Sequence, residues 1–180
     1  MGTDVIILNG GSSSGKSTIA RNLQRILPGL WLLSGVDDLI EAAPQQRIED
    51  GSLIRFKDDG QVEIGPGWRD LERCWYTGLA AMAASGSGII LDEVFLDGPR
   101  SQERLRLVLG NLEILWVGVR CDSEVATARE ALRQDRVPGM AESQAAVVHE
   151  DVEYDVIVDT SHASPETCAA EILSRVSTVV

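Results

Sequence analysis

Ten consecutive residues near the start of the chain, Asn9-Gly-Gly-Ser-Ser-Ser-Gly-Lys-Ser-Thr18, restrict what it can fold into more than any other feature. Gly10, Gly15, Lys16 and Ser17 satisfy G-x-x-x-x-G-K-[ST] in full, with the apolar run VIILN at 5–9 before it and a segment of helical period after it. In that setting the glycines let the backbone curl, so that several N–H groups point into one concavity at a helix N-terminus. Such a nest accepts phosphate oxygens. Gly10, Gly11, Ser12, Ser13, Ser14, Gly15, Lys16, Ser17 and Thr18 are therefore expected to hold the phosphates of a nucleotide. Lys16 would reach the β- and γ-phosphates and the Ser17 hydroxyl would ligate magnesium, which makes ATP and Mg2+ the expected cofactors. A dinucleotide loop would need G-x-G-x-x-G, which is absent.

Four further apolar runs follow: WLL at 31–33, IILD at 89–92, LEILWVGV at 112–119 and YDVIVD at 154–159. Short continuous apolar runs separated by helical segments imply a parallel sheet covered on both faces, so the predicted class is α/β. The helical segments have readable ends: 16–27 stops at Pro28-Gly29, 66–84 opens near Pro66 and stops around Gly86, and 99–109 opens with Pro99 and stops at Gly110. The last opens with Ser164, Pro165 and Glu166 as cap, first turn and acidic first-turn residue. Between Pro44 and Pro66, LIRFKDDGQVEI gives two short alternating runs about an Asp-Asp-Gly turn, a β-hairpin inserted into the α/β frame. With 180 residues, 44% of them apolar, the chain supports one substantial core and is too short for two ordinary domains, so 1–180 is read as one domain.

The formal net charge of −12 opposes binding to a nucleic-acid backbone. No stretch of about 18 apolar residues runs without a charge and no cleavable leader is visible, which predicts a soluble cytoplasmic protein with no membrane partner. Cys74, Cys121 and Cys168 lack ligand spacing and are expected to be buried or half-buried thiols without a chemical role. His149 and His162 approach no metal motif and are expected at element ends. Whether the chain forms a homo-oligomer is left open.

Three further groups carry candidate chemistry. GIILDE at 88–93 places Asp92 and Glu93 at the carboxyl end of a buried strand, the edge where α/β sheets hold ligands, so Asp92 is expected beside magnesium; Glu93 could face either acceptor or solvent. ALRQDRVPG at 131–139 places Arg133 and Arg136 three residues apart, hence on one helical face, where a lid at about 131–140 could clamp transferring phosphate oxygens with both. In SGVDDLIEAAP, Asp37 is a candidate base for an acceptor hydroxyl, but the Asp-Asp pair reads equally as a helix start with Asp38 as its cap. The acceptor would bind in the region of about 31–85, where Trp31, Trp68 and Trp75 suit an uncharged, partly aromatic molecule, although each ring reads more readily as packing.

Taken together, ILNGGSSSGKS, WLLSGVDDLIEAAP, IILDEVFL, ILWVGVRCDSEVA, RQDRVPGMA and VVHEDVEYDVIVDTSH resemble the chloramphenicol 3-O-phosphotransferase family, self-resistance enzymes of antibiotic-producing actinomycetes. The specific part is GVD after the second strand combined with DEVF, VGVRCD and the RxDR lid; the match is weakest at 45–63 and 96–111. The resemblance implies a P-loop nucleotide-kinase-like three-layer fold with a five-stranded parallel sheet and a short arginine lid. It also implies Asp37 as general base, Lys16 and Ser17 on phosphates and magnesium, Asp92 beside the metal or acceptor, and Arg133 with Arg136 closing over the phosphates. The acceptor would be a hydroxylated antibiotic, chloramphenicol or another such as a hygromycin A type molecule. A kinase for a nucleotide or acidic metabolite would instead need arginines for the acceptor's own charge, and Arg47, Arg55, Arg69 and Arg73 lie in the right half of the chain. A nucleotide-dependent regulatory module would need neither an acceptor-side base nor a lid.

Overall fold

The computed structural model describes residues 2–57, 59–133, 138–145 and 147–177. The five apolar runs form five strands: β1 (Val5–Asn9), β2 (Trp31–Gly35), β5 (Gly88–Glu93), β6 (Ile114–Arg120) and β7 (Val156–Asp159). They assemble in the order β2-β5-β1-β6-β7, all parallel. Parallel pairing needs a crossover between successive strands, and the helices that supply it cover both faces. On one face, α1 (Lys16–Ile26) and α8 (Pro165–Leu173) pack Ile19, Leu23 and Ile172 over Ile6, Leu8, Ile90 and Val117. On the other, α4 (Trp68–Ala84) and α5 (Pro99–Leu109) pack Tyr76, Leu79 and Leu105 over Val5, Ile7, Ile89 and Leu91. Alternation along each strand thus feeds two cores, which is why the runs are apolar throughout rather than at every second residue.

The expected hairpin is present as β3 (Ile54–Phe56) antiparallel to β4 (Val62–Ile64), in a separate two-stranded sheet. It closes a third, smaller core in which Leu53, Ile54 and Trp68 pack with Leu39 and Ala43 of the α2 segment (α2, Val36–Ala42) and the residue after it. The remaining helices are short: α3 (Gln45–Glu49), α6 (Ser123–Glu130) and α7 (Met140–Ala145), followed by a 3₁₀ turn at Val147–His149. Among the expected helix ends, the Ser164 cap is observed directly, its hydroxyl accepting the Thr167 N–H at 3.2 Å.

Two expectations are corrected. Helix α6 ends at Glu130, so Arg133 lies beyond it rather than on a helical face; Arg136 lies outside the described residues. Cys74 is exposed on α4, not buried, while Cys121 is half-buried and Cys168 buried as expected.

Candidate active site

The register of the sheet decides what meets at its carboxyl edge. Leu8 and Asn9 of β1 lie beside Asp92 and Glu93 of β5, and Gly35 of β2 lies on the other side of Asp92. The loop after β1, the start of α2 and the end of β5 are therefore adjacent, at the edge where open α/β sheets hold ligands. A Cβ at Gly35 would collide with the Asp92 carbonyl oxygen, so the close approach of these strands depends on glycine there.

The loop itself is a concavity of backbone donors. Ser13 (φ 58°) and Gly15 (φ 91°) have left-handed backbones, which turn successive N–H groups inward ahead of α1. Distant residues brace it: Gln144 of α7 accepts the Ser12 N–H at 2.8 Å, and Thr160 donates to the Ser14 carbonyl at 2.7 Å while held by Arg129. Asn9 accepts the Phe95 N–H at 2.9 Å and donates to the Val148 carbonyl, joining the base of the loop to the segments after β5 and α7. Within this braced frame the hydroxyls of Ser12, Ser13 and Ser14 are buried and have no hydrogen-bond partner among the described residues. Native proteins rarely leave three such groups together unpaired, and phosphate oxygens are the partners that this geometry suits.

Lys16 is buried; its ammonium donates to the Gly11 carbonyl at 2.9 Å and lies 3.7 Å from Asp92 Oδ1. Ser17 donates to Asp92 Oδ2 at 2.5 Å. The expected magnesium pair is thus in direct contact, while no group of three or more His, Cys, Asp or Glu among the described residues is arranged for a metal. A hydroxyl and one carboxylate beside a phosphate nest suit magnesium, which keeps waters and phosphate oxygens as its other ligands.

A cavity of about 300 Å³ opens from the loop toward α2, the hairpin and α4. Lys16, Ser17, Asp37, Asp92 and Arg133 all line it. Asp37 and Asp38 part company here. Asp38 reaches back to accept the Gly35 N–H at 2.8 Å, which is the cap that the Asp-Asp pair suggested, whereas Asp37 is exposed to the cavity from the first turn of α2. Its walls carry the apolar side chains of Leu33, Ile54, Phe56, Val62, Trp68 and Phe95 among polar ones such as Tyr76 and Glu93. Trp68 alone of the three acceptor-half tryptophans lines the cavity; Trp31 packs on Gly88 and Trp75 sits between two cores.

Two of the cavity's arginines are matched by carboxylates. Arg69 pairs with Glu72 and Asp97, and Arg104 pairs with the same two carboxylates. Of the four arginines considered for a charged acceptor, only Arg69 lines the cavity, and it is already engaged; Arg73 pairs with Asp70 on the surface.

Glu93 is buried, accepts the Tyr76 hydroxyl at 2.8 Å through Oε2, and leaves Oε1 without a hydrogen-bond partner among the described residues. Burial pushes its carboxyl up to about 8, against the lowering effect of the Tyr76 hydrogen bond, and the Asp92 and Glu72 charges push the same way as burial. Its proton is released near 4.5 in the unfolded chain and near 8 in the folded one. Stability from this group is therefore complete below the lower value and falls as pH rises toward the upper one. In the Glu93→Gln protein that slope is expected to disappear, and chemical denaturation at pH 8 should show it more stable than the parent by roughly a few kcal/mol, with little difference at pH 4.5.

A family model described as chloramphenicol phosphotransferase-like protein matches residues 3–177. The chain belongs to this family. As a member it is a phosphotransferase of the kinase type. It is 29% identical over 183 residues to a putative O-phosphotransferase of Mycobacterium tuberculosis strain H37Rv, spanning 93% of this chain and 80% of that protein. The phosphotransferase also shares its fold with solved proteins, kinases among them. A sugar kinase from Janibacter sp. HTCC2649 superposes with a TM-score of 0.70 at 20% identity, covering 96% of this chain and 93% of the other. Shikimate kinase from Acinetobacter baumannii gives 0.54 at 16% identity, covering 96% and 92%. The Deinococcus radiodurans tunicamycin resistance protein gives 0.63 at 17%, covering 98% and 99%. The expected P-loop kinase architecture with its five-stranded parallel sheet is the one observed. No helix among the described residues is long and apolar enough to cross a membrane.

Several residues that shape the phosphotransferase's site have no signal in the sequence. Gln144, Thr160 and Tyr76 act through partners 132, 146 and 17 residues away. Glu130, buried at the end of α6, accepts the N–H groups of Gly139 and Ala141 at 2.8 Å each and so ties the end of the expected lid segment and the start of α7 to the helix before it. Glu93, by contrast, was open to either acceptor or solvent from its place beside Asp92 at a strand end, and it is the cavity that it lines.

Proposed function

We propose that this chain transfers the γ-phosphate of ATP to a hydroxyl of chloramphenicol or a similar uncharged antibiotic, acting as one unit over 1–180 with Asp37 as general base. The supporting observation is one continuous cavity that runs from three serine hydroxyls in the phosphate loop, unpartnered among the described residues, to a carboxylate on α2, with Leu33, Phe56, Trp68 and Phe95 among its walls. In this reading Gly10 to Thr18 cradle the triphosphate through backbone N–H groups and the hydroxyls of Ser12, Ser13 and Ser14. Lys16 holds the β- and γ-oxygens and stabilises the charge that moves onto the leaving oxygen. Ser17 and Asp92 would hold magnesium, which when bound neutralises charge on the same oxygens. Asp37 accepts the proton of the acceptor hydroxyl as its oxygen bonds to the γ-phosphorus, and the bond from phosphorus to the bridging oxygen breaks to release ADP. Arg133 lines the cavity and, with Arg136, supplies cationic groups over the transferring phosphoryl group while water is excluded.

The pairing of Arg69 and Arg104 favours an uncharged acceptor over a nucleotide or an acidic metabolite, because each of these two guanidinium groups would have to leave a carboxylate to bind a second anion. Acceptor-dependent ADP release is the test, read with chloramphenicol, hygromycin A, nucleoside monophosphates and shikimate. Chloramphenicol or hygromycin A is expected to stimulate release. Stimulation by the charged acceptors alone would overturn the antibiotic reading.

A further inference from the structure

We infer that Glu93 is an acceptor-recognition residue, whose Oε1 takes up a hydrogen bond with a second uncharged polar group of the acceptor, distinct from the hydroxyl that receives phosphate. The inference rests on the proposed function and deepens it by adding a specificity contact to the same cavity.

Side-chain alternation separates the two acids that end β5. Asp92 follows the face of Ile90 and meets Ser17 and Lys16; Glu93 follows the face of Ile89 and Leu91, toward α4 and α5. There it is 3% exposed, lines the cavity, and is fixed by the Tyr76 hydroxyl through one oxygen only. The other oxygen is buried and unpartnered among the described residues. Were the pair only a staple between α4 and β5, leaving an oxygen orphaned would be a needless loss that a shorter or singly polar residue avoids. An oxygen that is dry, rigidly held and set among apolar walls is what recognition of one polar group requires, since the partner pairs it without competition from bulk water. The charges around Glu93 limit what that group can be. Glu72 of α4 and Asp92 of β5 oppose an anion there, while Lys16 and Arg104 already face carboxylates. An anionic group is thereby disfavoured, and on the uncharged acceptor of the proposed function the partner is a hydroxyl, an amide N–H or, where Oε1 carries the proton, a nitro oxygen.

The test is a cycle between protein and acceptor. Steady-state kinetics are measured for the parent, Glu93→Ala, Glu93→Gln and Tyr76→Phe, with chloramphenicol and with analogues lacking in turn the nitro group, the dichloroacetyl group and the benzylic hydroxyl. Glu93→Ala is expected to raise KM for chloramphenicol by about tenfold or more while KM for ATP stays within about twofold, as for loss of one buried polar contact. Glu93→Gln should recover most of the loss. One analogue should be penalised as strongly by the parent but no further by Glu93→Ala, because both lack the same contact. A structural staple would move every analogue by one common factor, and Tyr76→Phe would reproduce Glu93→Ala; either result overturns the inference. A parent enzyme that phosphorylates no form of chloramphenicol fails the proposed function instead, and the same cycle is then read on whichever hydroxylated compound of the acceptor panel gains phosphate.

Discussion

Asp37→Asn is expected to slow phosphoryl transfer by about 10² to 10⁴ while leaving the affinity for magnesium-ATP unchanged, the usual worth of a positioned general base. The two halves of that result come from different parts of the molecule. Asp37 stands on the first turn of α2, and the nucleotide nest is built by the loop after β1, with β5 between the two strands that lead into them. Asparagine keeps the size and the α2 register, and the cap on that helix belongs to Asp38, so the fold is not expected to move. Rapid-quench measurement of a single turnover separates the chemical step from binding and product release. An Asp37→Asn enzyme with undiminished single-turnover rate would remove Asp37 from the mechanism.

Lys16→Ala is the second large effect, and it falls on nucleotide and transfer together. The ammonium is buried at the mouth of the loop, between the Gly11 carbonyl and Asp92. Removing it takes away the lysine proposed to follow the γ-phosphate, and also the cation that lies 3.7 Å from Asp92. A loss on the order of 10² to 10³ in kcat is expected, as for loss of one preorganised donor to developing charge, with a weakened affinity for ATP as well. Calorimetric titration with a non-hydrolysable ATP analogue and magnesium gives the binding part directly. The contrast between the two variants carries the assignment: Asp37→Asn spares binding and Lys16→Ala does not.

What could be read in advance followed the range of the interactions. The phosphate loop was legible because its donors come from ten contiguous residues, and the five strands because burial on both faces leaves continuous apolar runs. The hairpin was legible from two alternating runs about a turn. The short helices α2, α3, α6 and α7 were not, apart from the cap at the start of α2. Five to eight residues span at most about two turns, too few for a 3.6-residue period to show. That is also why Arg133 was expected on a helical face that ends three residues before it. The braces of the site were illegible for another reason. Gln144 on Ser12, Thr160 on Ser14 and Asn9 on Phe95 are hydrogen bonds closed only by the tertiary fold, and nothing local distinguishes these residues from ordinary surface amides and hydroxyls. The tryptophans divided as their dual character allows: Trp31 and Trp75 serve packing away from the cavity, the reading each ring favoured, while Trp68 both packs and lines it. Charge was the least legible, since Arg69 reads as an available anion ligand until its pairing with Glu72 and Asp97 is seen.

The central claim is that phosphate passes from ATP to carbon-bound oxygen and not to water. Phosphorus-31 NMR of the protein with magnesium, ATP and chloramphenicol follows both fates in one sample. The expected result is loss of the γ-phosphate signal matched by growth of a phosphomonoester signal split by protons on the adjacent carbon. Growth of inorganic phosphate alone, with no phosphomonoester from chloramphenicol or any other hydroxylated acceptor, would contradict the account.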